Sequence, residues 1–327
     1  MASNATTEFR VRTYQPSDFS ALYALLSRSG RLMTQSGLRE HLESPMLQAV
    51  YVIDGEGLSG VRDVRVTGRG DEADPIFESS GALAESAPTA AFDALLEAAL
   101  ACAADVVRNR GASRGVLQTR CSVVDWKTQA DLERNRLVRV RELWTIVRPT
   151  LEDIPEPRVA SGIELRPYRM GDEAAWVEAF NEAFADHFGG WMGMPLPVWH
   201  RYVASAVFKP DISLVAWDGE RIAGFGHFRI DDELNQLRKQ QVGTMRYIGV
   251  RPAWRRLGLA RALTRAGLLG LRRHGMQACV SGVDGTNVTG AHLLYLQEGF
   301  EVSDREYLYR MTLTNPPGGT HVELLPR

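Results

Sequence analysis

The sequence predicts an α/β (α+β) protein in which two tandem halves each form a mixed, mostly antiparallel sheet flanked by helices. In the second half, strand-like and helix-like segments alternate after an antiparallel start, which is typical of a mixed sheet. The first half opens with the same strand–turn–helix pattern, at a constant offset of 154 residues. Only two copies at so long a period favour duplicated domains over a solenoid.

Both ends of each half carry the repeat. The segment 145–151 resembles 307–313, and each reads as a closing strand. Pro155 and Pro157 lie between the halves, where proline blocks both helix and central strand. We therefore predict a first domain at 1–150, a linker at 151–162, a second domain at 163–313 and a tail at 314–327. The matched residues of the two openings are Arg12 with Arg166, Tyr14 with Tyr168, and Asp18 with Asp172.

The second half reads as an ordered series of elements. An Asp218–Gly219 pair between two β-rich runs is a strong hairpin signal. Apolar residues recur at helical spacing after residue 257, and Gly275 is placed to end that helix. The predicted helices are 172–188, 196–208, 257–274 and 287–298, and the predicted strands are 212–217, 221–230, 245–250, 277–283 and 307–313.

Composition excludes several classes of protein. The formal net charge is -2, so no overall field selects nucleic acid or a membrane surface. No apolar run approaches the roughly 20 residues needed to cross a bilayer. Cys102, Cys121 and Cys279 match neither a zinc site nor a disulfide framework, which predicts no metal and a cytoplasmic protein with reduced thiols. The sequence does not indicate an oligomeric state.

The segment 255–260 has the chemistry of an anion site. The first turn of a helix has unpaired N–H groups and a partial positive charge. Gly258 and Ala260 lack bulk, so a phosphate can approach the backbone, and Arg255 and Arg256 add forked donors. Residues 245–283 hold eight arginines and no Asp or Glu, so the positive charge is local. A solvated basic helix face is the alternative interpretation.

Three ordered motifs resemble the Gcn5-related N-acetyltransferase (GNAT) superfamily across most of residues 163–313. Arg255, Gly258 and Ala260 match its acyl-CoA signature, Arg/Gln-x-x-Gly-x-Gly/Ala. The strand at 247–252 resembles the family's strand ending in Val-x-Pro. Residues 287–300 resemble its Asn…Ala…Leu-Tyr…Gly-Phe ending.

The resemblance implies a reaction and a set of residues. Acetyl-CoA would donate its acetyl group to a small-molecule amine by direct attack, with no acyl-enzyme. Tyr295 would protonate the departing thiolate, unless it is only a core aromatic. The residues implied in acetyl-CoA binding are Ile248, Gly249 and Val250 for the pantetheine arm, and Arg255, Arg256, Leu257, Gly258, Leu259, Ala260 and Arg261 for the pyrophosphate.

Two departures from the family pattern concern catalysis and a cofactor contact. Many members carry a Glu as general base where this chain has Thr244, which cannot accept a proton. A water chain or another residue is then needed; His227 is a candidate base, or else an ordinary strand residue. Asn287 lies eight residues before Tyr295 where the family has seven, so it is either a cofactor contact or a helix cap.

The first half is predicted to be a degenerate, non-catalytic copy. Its matching region, residues 70–107, contains eight acidic residues and no Lys or Arg, so it would repel a polyanion. The tandem layout resembles that of the mycothiol synthase group.

Two alternatives remain open for the whole chain: a CoA-binding sensor or interaction module without catalysis, and transfer of a longer acyl group. The segment 184–199 contains His187, Trp191, Met192, Met194 and Trp199, and its Trp and Met side chains are interpreted equally as an apolar wall for the acceptor or as core or interdomain packing.

Overall fold

The protein divides into two compact units in a computed structural model that describes residues 9–29, 33–54, 57–67, 74–88, 90–185, 193–286, 290–315 and 323–325. One unit comprises Met1–Val140 with Tyr307–Arg327, and the other comprises Arg141–Glu306. Within the described residues, none of the helices has both the length and the apolar composition that crossing a bilayer requires.

The first half of the chain forms seven strands and four helices among its described residues. The strands are β1 Arg10–Thr13, β2 Leu47–Asp54, β3 Gly60–Thr67, β4 Ile76–Glu78, β5 Gly81–Leu83, β6 Arg114–Ser122 and β7 Val138–Arg148. The helices are α1 Phe19–Arg28, α2 Gln35–Leu42, α3 Ala91–Asn109 and α4 Trp126–Arg134.

The second half repeats this order with additions. Its strands are β8 Ile163–Pro167, β9 Leu214–Asp218, β10 Arg221–Ile230, β11 Val242–Val250, β12 Ala278–Asp284, β13 Glu301–Thr314 and β14 Glu323–Leu325. Its helices are α5 Glu173–Ala183, α6 Leu196–Val203, α7 Asp232–Arg238, α8 Leu259–Arg273 and α9 Ala291–Gln297. The predicted α/β class with a mixed sheet is confirmed.

Each half contributes its last strand to the unit built mainly by the other half. In the second unit, β7 pairs antiparallel with β12 from Arg148 opposite Cys279 to Leu143 opposite Asp284, and Ile146 is buried in the core. In the first unit, β13 lies next to β6 and buries Tyr309. The compact units therefore have boundaries that differ from the contiguous domains predicted from the sequence.

The repeated opening has the same local structure in both halves. Arg12 pairs with Asp18 at 2.6 Å, and Arg166 pairs with Asp172 at 2.8 Å. Each aspartate also accepts a backbone N–H three residues earlier, at 2.8 Å in both cases. The arginine on the first strand thus holds the turn that starts the first helix of each half.

The acidic run that begins at Asp231 starts helix α7. Asp231 accepts the N–H of Leu234 at 2.8 Å and caps the helix. A carboxylate at this position satisfies an N–H group that the helix leaves unpaired. The acidic residues therefore start a helix between β10 and β11.

Helix α8 is fixed against the sheet of the second unit by close packing. A Cβ at Gly267 would come within 2.0 Å of the ring of Phe228, and one at Gly243 would come within 2.3 Å of Leu271. Leu263 and Leu271 are fully buried. Because interiors are close-packed, these contacts set the position of the helix N-terminus relative to β11.

Candidate functional site

The strands β11 and β12 separate part of the way along their length. They pair in parallel only from Val242 to Thr244, with Ala278 to Val280 as partners. The hydroxyl of Ser281 then donates to the carbonyl of Met245 at 2.9 Å. Beyond that contact, β11 continues to Val250 with β10 as its only strand partner among the described residues. The site begins at this opening.

The open edge of β11 presents backbone groups of Ile248 and Val250. The N–H of Arg251 donates to Ala223 on β10 at 3.0 Å, so residues of the other parity face away from β10. Gly249 faces Phe225, and a Cβ at position 249 would come within 2.2 Å of that ring. Ile248 and Val250 therefore present backbone groups at the open edge, while the backbone of Gly249 pairs with β10.

The loop after β11 leads directly into α8. Arg256 has φ 68° and Gly258 has φ 77°, both in the left-handed region. The first N–H inside the helix to find a backbone partner is that of Ala262, which donates to Gly258 at 3.1 Å. The N–H groups of residues 256–261 have no backbone partner in the described part of the chain. Alternating backbone conformations of this kind turn successive N–H groups into an anion-binding concavity.

The predicted glycine role is compatible with the geometry of this loop. A Cβ at Gly258 would meet nothing within 4 Å, so the space in front of the residue is open. Leu257 is exposed, while Leu259 is buried against the sheet and Ala260 lies at the first turn. Gly258 thus leaves open space next to the N–H row.

The arginines near this loop have different partners. Arg255 donates to the carbonyls of Val250 at 3.3 Å and Ala183 at 3.0 Å, so it holds the loop in place. Arg261 and Arg265 both pair with the buried carboxylate of Glu298, at 2.9 and 2.7 Å. Arg256 is exposed, and the structure records no ion pair for it among the described residues.

Arg251 is also used structurally. Its buried guanidinium binds Glu178 at 3.0 Å and Glu182 at 2.7 Å, and both carboxylates belong to α5. These two glutamates lie outside residues 245–283. The net positive charge around that segment is therefore smaller than its sequence alone predicts. The local charge that remains at the loop comes mainly from the N–H row and Arg256.

Tyr295 lies on α9 in the core of the second unit. It is 8% exposed, and its ring meets that of Phe300 edge-on at 5.9 Å between centroids. Burial raises the pKa of its phenol, so the hydroxyl keeps its proton at every physiological pH. A protonated phenol is the form that a proton donor requires.

His227 lies on β10 and is completely buried. The rings of Trp199, Tyr202 and Phe208 surround it at centroid distances of 5.6, 5.1 and 5.3 Å. Burial, together with the charges of Arg246 and Arg229, lowers the pKa of His227 to about 3. The imidazole is therefore neutral and a weak base, and its catalytic role stays a prediction.

Thr244 marks the point where β11 and β12 separate. It is the last residue of β11 paired with β12, and it lies opposite Arg229 of β10. The register shifts one residue later: His227 pairs with Tyr247 and Phe228 with Met245, which makes Arg246 the extra residue of a β-bulge. The position expected for a carboxylate thus has a threonine between two arginines.

The first unit carries a carboxylate at the corresponding place. Glu78 is the last residue of β4 paired with β6, and it lies opposite Arg65 of β3. Arg65 binds it at 3.2 Å and Gln118 donates to it at 3.3 Å. Sequence reasoning missed this residue, because the register of the two strands, and not local spacing, makes the positions equivalent.

Other predicted residues lie in the core or outside the described chain. Trp199 is fully buried and stacks on Trp176 at 3.6 Å between centroids, and Met194 is 8% exposed, so both are core residues. Asn287 lies outside the described residues, as do His187 and Trp191. Their predicted contacts stay predictions.

Residues 175–300 match the family model described as Acetyltransferase (GNAT) family. This confirms the resemblance for the part of the chain that contains β10, β11, the loop and α8.

Curated relatives are similar over about half of this chain. The mycothiol acetyltransferase of Catenulispora acidiphila is 32% identical over 173 residues, covering 53% of this chain and 54% of that protein. The mycothiol acetyltransferase of Geodermatophilus obscurus is 34% identical over 173 residues, covering 51% and 54%. The matched region thus spans about half the length of these relatives.

Solved structures are similar over nearly the whole chain. A GCN5-related N-acetyltransferase from Sphaerobacter thermophilus has a TM-score of 0.73 at 22% identity, covering 92% of this chain and 95% of that one. A tandem GNAT protein from the clavulanic acid biosynthesis pathway has a TM-score of 0.67 at 12% identity, covering 93% and 98%. At these identities the likeness establishes the fold.

Proposed function

We propose that this protein transfers an acetyl group from acetyl-CoA to the amine of a small molecule. The observation that carries the proposal is the continuity between the open edge of β11 and the unpaired N–H row at the start of α8. A ligand with an amide-rich arm joined to a pyrophosphate fits both features at once. The family match over residues 175–300 supports the same cofactor.

The proposal assigns the two parts of the cofactor to two backbone segments. Ile248 and Val250 would hold the pantetheine arm through backbone hydrogen bonds, as an added strand is held at a sheet edge. The N–H groups of residues 256–261 would hold the pyrophosphate at the positive end of the helix. Gly258 leaves the space in front of those N–H groups open.

The reaction proceeds by direct attack of a neutral amine on the thioester that bound acetyl-CoA supplies. Tyr295 would donate its phenolic proton to the leaving sulfur. Burial raises the pKa of Cys279 to about 12, so this core cysteine stays a thiol and is a poor nucleophile. A protonated Cys279 agrees with a direct transfer in which no acyl-enzyme forms on this cysteine.

The amine must lose a proton before it attacks, and Thr244 cannot take it. We infer that water relays the proton away from the site. The predicted base His227 would be a weak one, since its conjugate acid has a pKa of about 3. Catalytic bases work best when their pKa lies near the operating pH.

The first half is proposed to be a non-catalytic GNAT-like copy in a tandem arrangement. Its Glu78 is engaged by Arg65 and Gln118, and residues 84–90 before α3 carry Glu85 and no arginine. The relatives named mycothiol acetyltransferase support a small-molecule acceptor. A cytoplasmic location is part of the proposal.

A non-catalytic CoA-binding module is the second candidate, and Thr244 in the place of a carboxylate favours it. An amine panel with acetyl-CoA separates the two. Turnover by the wild type that falls in Tyr295→Phe, with binding of acetyl-CoA unchanged, supports the transferase. Binding without turnover for every amine supports the module. A parallel series of acyl-CoA chain lengths determines which acyl group is used.

A further inference from the structure

Three side chains on one face of the second unit have buried polar atoms without a hydrogen-bond partner in the described structure. They are the hydroxyl of Tyr202, Nε2 of His227 and Nε of Arg229. The rings of Tyr202 and His227 lie 5.1 Å apart between centroids. His227 and Arg229 are two residues apart on β10 and so point to the same face. Buried polar groups almost always have partners, so this face is suited to a polar ligand.

The imidazole contributes no positive charge to this face. The hydroxyl of Ser213 donates to the carbonyl of Phe228 at 3.3 Å and lies 2.9 Å from Nδ1 of His227. Burial keeps the imidazole neutral by lowering its pKa to about 3, and the charges of Arg246 and Arg229 act in the same direction. These two arginines are charged groups whose fields act on this ring.

Arg229 and Arg246 both lie beside Thr244. Arg229 is its register partner on β10, and Arg246 is the bulged residue two positions further along β11. The guanidinium of Arg246 lies 5.0 Å from the ring centroid of Tyr247. Arg229 makes no ion pair with any carboxylate of the described residues, and its Nε is buried. Two positive charges thus lie at the strand separation where acetyl transfer is proposed.

We propose that the acceptor amine carries an acidic group, a carboxylate or a phosphate, which Arg229 and Arg246 bind. This inference rests on the acetyl transfer proposed above. A simple ammonium ion would be repelled by two guanidinium groups, whereas an amine with a neighbouring acid has no net positive charge. Guanidinium groups bind carboxylate and phosphate through paired N–H donors. The same positive charges favour the neutral form of the amine, which is the form that attacks.

The test compares acceptors that differ only in the acidic group. Leucine is paired with leucinamide, and phosphoethanolamine with ethanolamine, so the two pairs also distinguish carboxylate from phosphate. We expect the acidic member of one pair to have a kcat/KM at least about tenfold higher. In Arg229→Gln the preference should fall roughly tenfold to a hundredfold, mainly through KM, as for a lost hydrogen bond to a charged group. Arg229→Lys should retain part of it.

Arg272→Gln is the matched control, since Arg272 lies in the last turn of α8, far along the helix from the loop. It should leave the preference unchanged. Equal or better use of the neutral members by the wild type would overturn the inference and leave the transferase intact. A preference that survives in Arg229→Gln would overturn the role of Arg229.

A binding readout separates this inference from the proposed function. Calorimetric titration with N-acetylleucine and N-acetylleucinamide needs no turnover. If no amine is acetylated, yet N-acetylleucine binds and Arg229→Gln weakens it tenfold or more, the anion site is supported and the transferase is not. If neither compound binds and no amine is acetylated, both proposals fail.

Discussion

The ring of Phe225 on β10 lies directly over Gly249 on β11, where a Cβ would come within 2.2 Å of the ring. This contact allows no side chain at position 249 without moving the strand that forms the open edge. The packing of the sheet and the shape of the proposed cofactor edge therefore depend on the same glycine.

Gly249→Ala should destabilise the protein by about 1 to 3 kcal/mol, because overpacking forces the ring or the strand to shift. Gly282→Ala on β12 is the matched control, since a Cβ there would meet nothing within 4 Å. Urea unfolding of both variants is the measurement. Equal stability of the two would contradict the packing described for Phe225.

Tyr295→Phe should lower kcat by roughly 100-fold or more, as for a lost proton donor, with little change in acetyl-CoA affinity. Tyr309→Phe is the control: it removes the hydrogen bond of a buried tyrosine to Glu133 in the first unit. That variant should lose stability and keep its kcat. If Tyr295→Phe retains full kcat with a good acceptor, Tyr295 is a core aromatic only.

The lowered pKa of the buried His227 should make the stability of the protein depend on pH. Its pKa falls from 6.5 in the unfolded chain to about 3 in the folded protein, so below pH 6.5 the unfolded state binds more protons. The contribution of the neutral imidazole to the free energy of unfolding is therefore fully present above pH 6.5. It is lost as the pH falls towards 3, at about 1.4 kcal/mol per pH unit.

The difference in unfolding free energy between the wild type and His227→Gln, measured from pH 7 to pH 4, tests this. It should shrink as the pH falls, because only the wild type carries this titration. The control His274→Gln removes an exposed histidine that pairs with Asp211 at 2.6 Å. A pH-independent difference for His227→Gln would show that the imidazole is not held neutral.

The exchanged strands predict which fragments fold. A chain of residues 141–306 contains the whole second unit, including the segment of β7 that pairs with β12. A chain of residues 151–327 lacks that segment and with it the buried side chain of Ile146. Circular dichroism with urea unfolding should give a cooperative transition for the first fragment only. A cooperative transition for 151–327 would contradict the role given to β7.

Much of the second unit was predictable because its signals are local. The hairpin at Asp218–Gly219 predicted β10 at Arg221–Ile230, as observed. The glycine and arginine pattern likewise predicted the loop and α8, although the helix begins at Leu259 and not at residue 257. Turn and cap chemistry needs only neighbouring residues, so one sequence is enough to find it.

The features that sequence reasoning missed depend on distant residues. Glu298, just after α9, binds Arg261 and Arg265, and Ala183 of α5 binds Arg255, so two of the arginines assigned to the cofactor, Arg255 and Arg261, have protein partners. The exchange of final strands is equally non-local, because a closing strand looks the same whichever sheet it joins. Both the partners of these arginines and the sheet that each final strand joins depend on residues far apart in the sequence.

The most direct test of the central claim is calorimetric titration of acetyl-CoA into Gly258→Glu and Gly275→Glu. Both glycines have left-handed φ, 77° and 78°, and open space in front of them, so both variants carry similar backbone strain. Gly258 lies at the N-terminus of α8, and Gly275 lies just beyond its C-terminus. We predict micromolar binding to the wild type and to Gly275→Glu, and none to Gly258→Glu. Equal binding to both variants, or no binding to the wild type, would contradict the cofactor site.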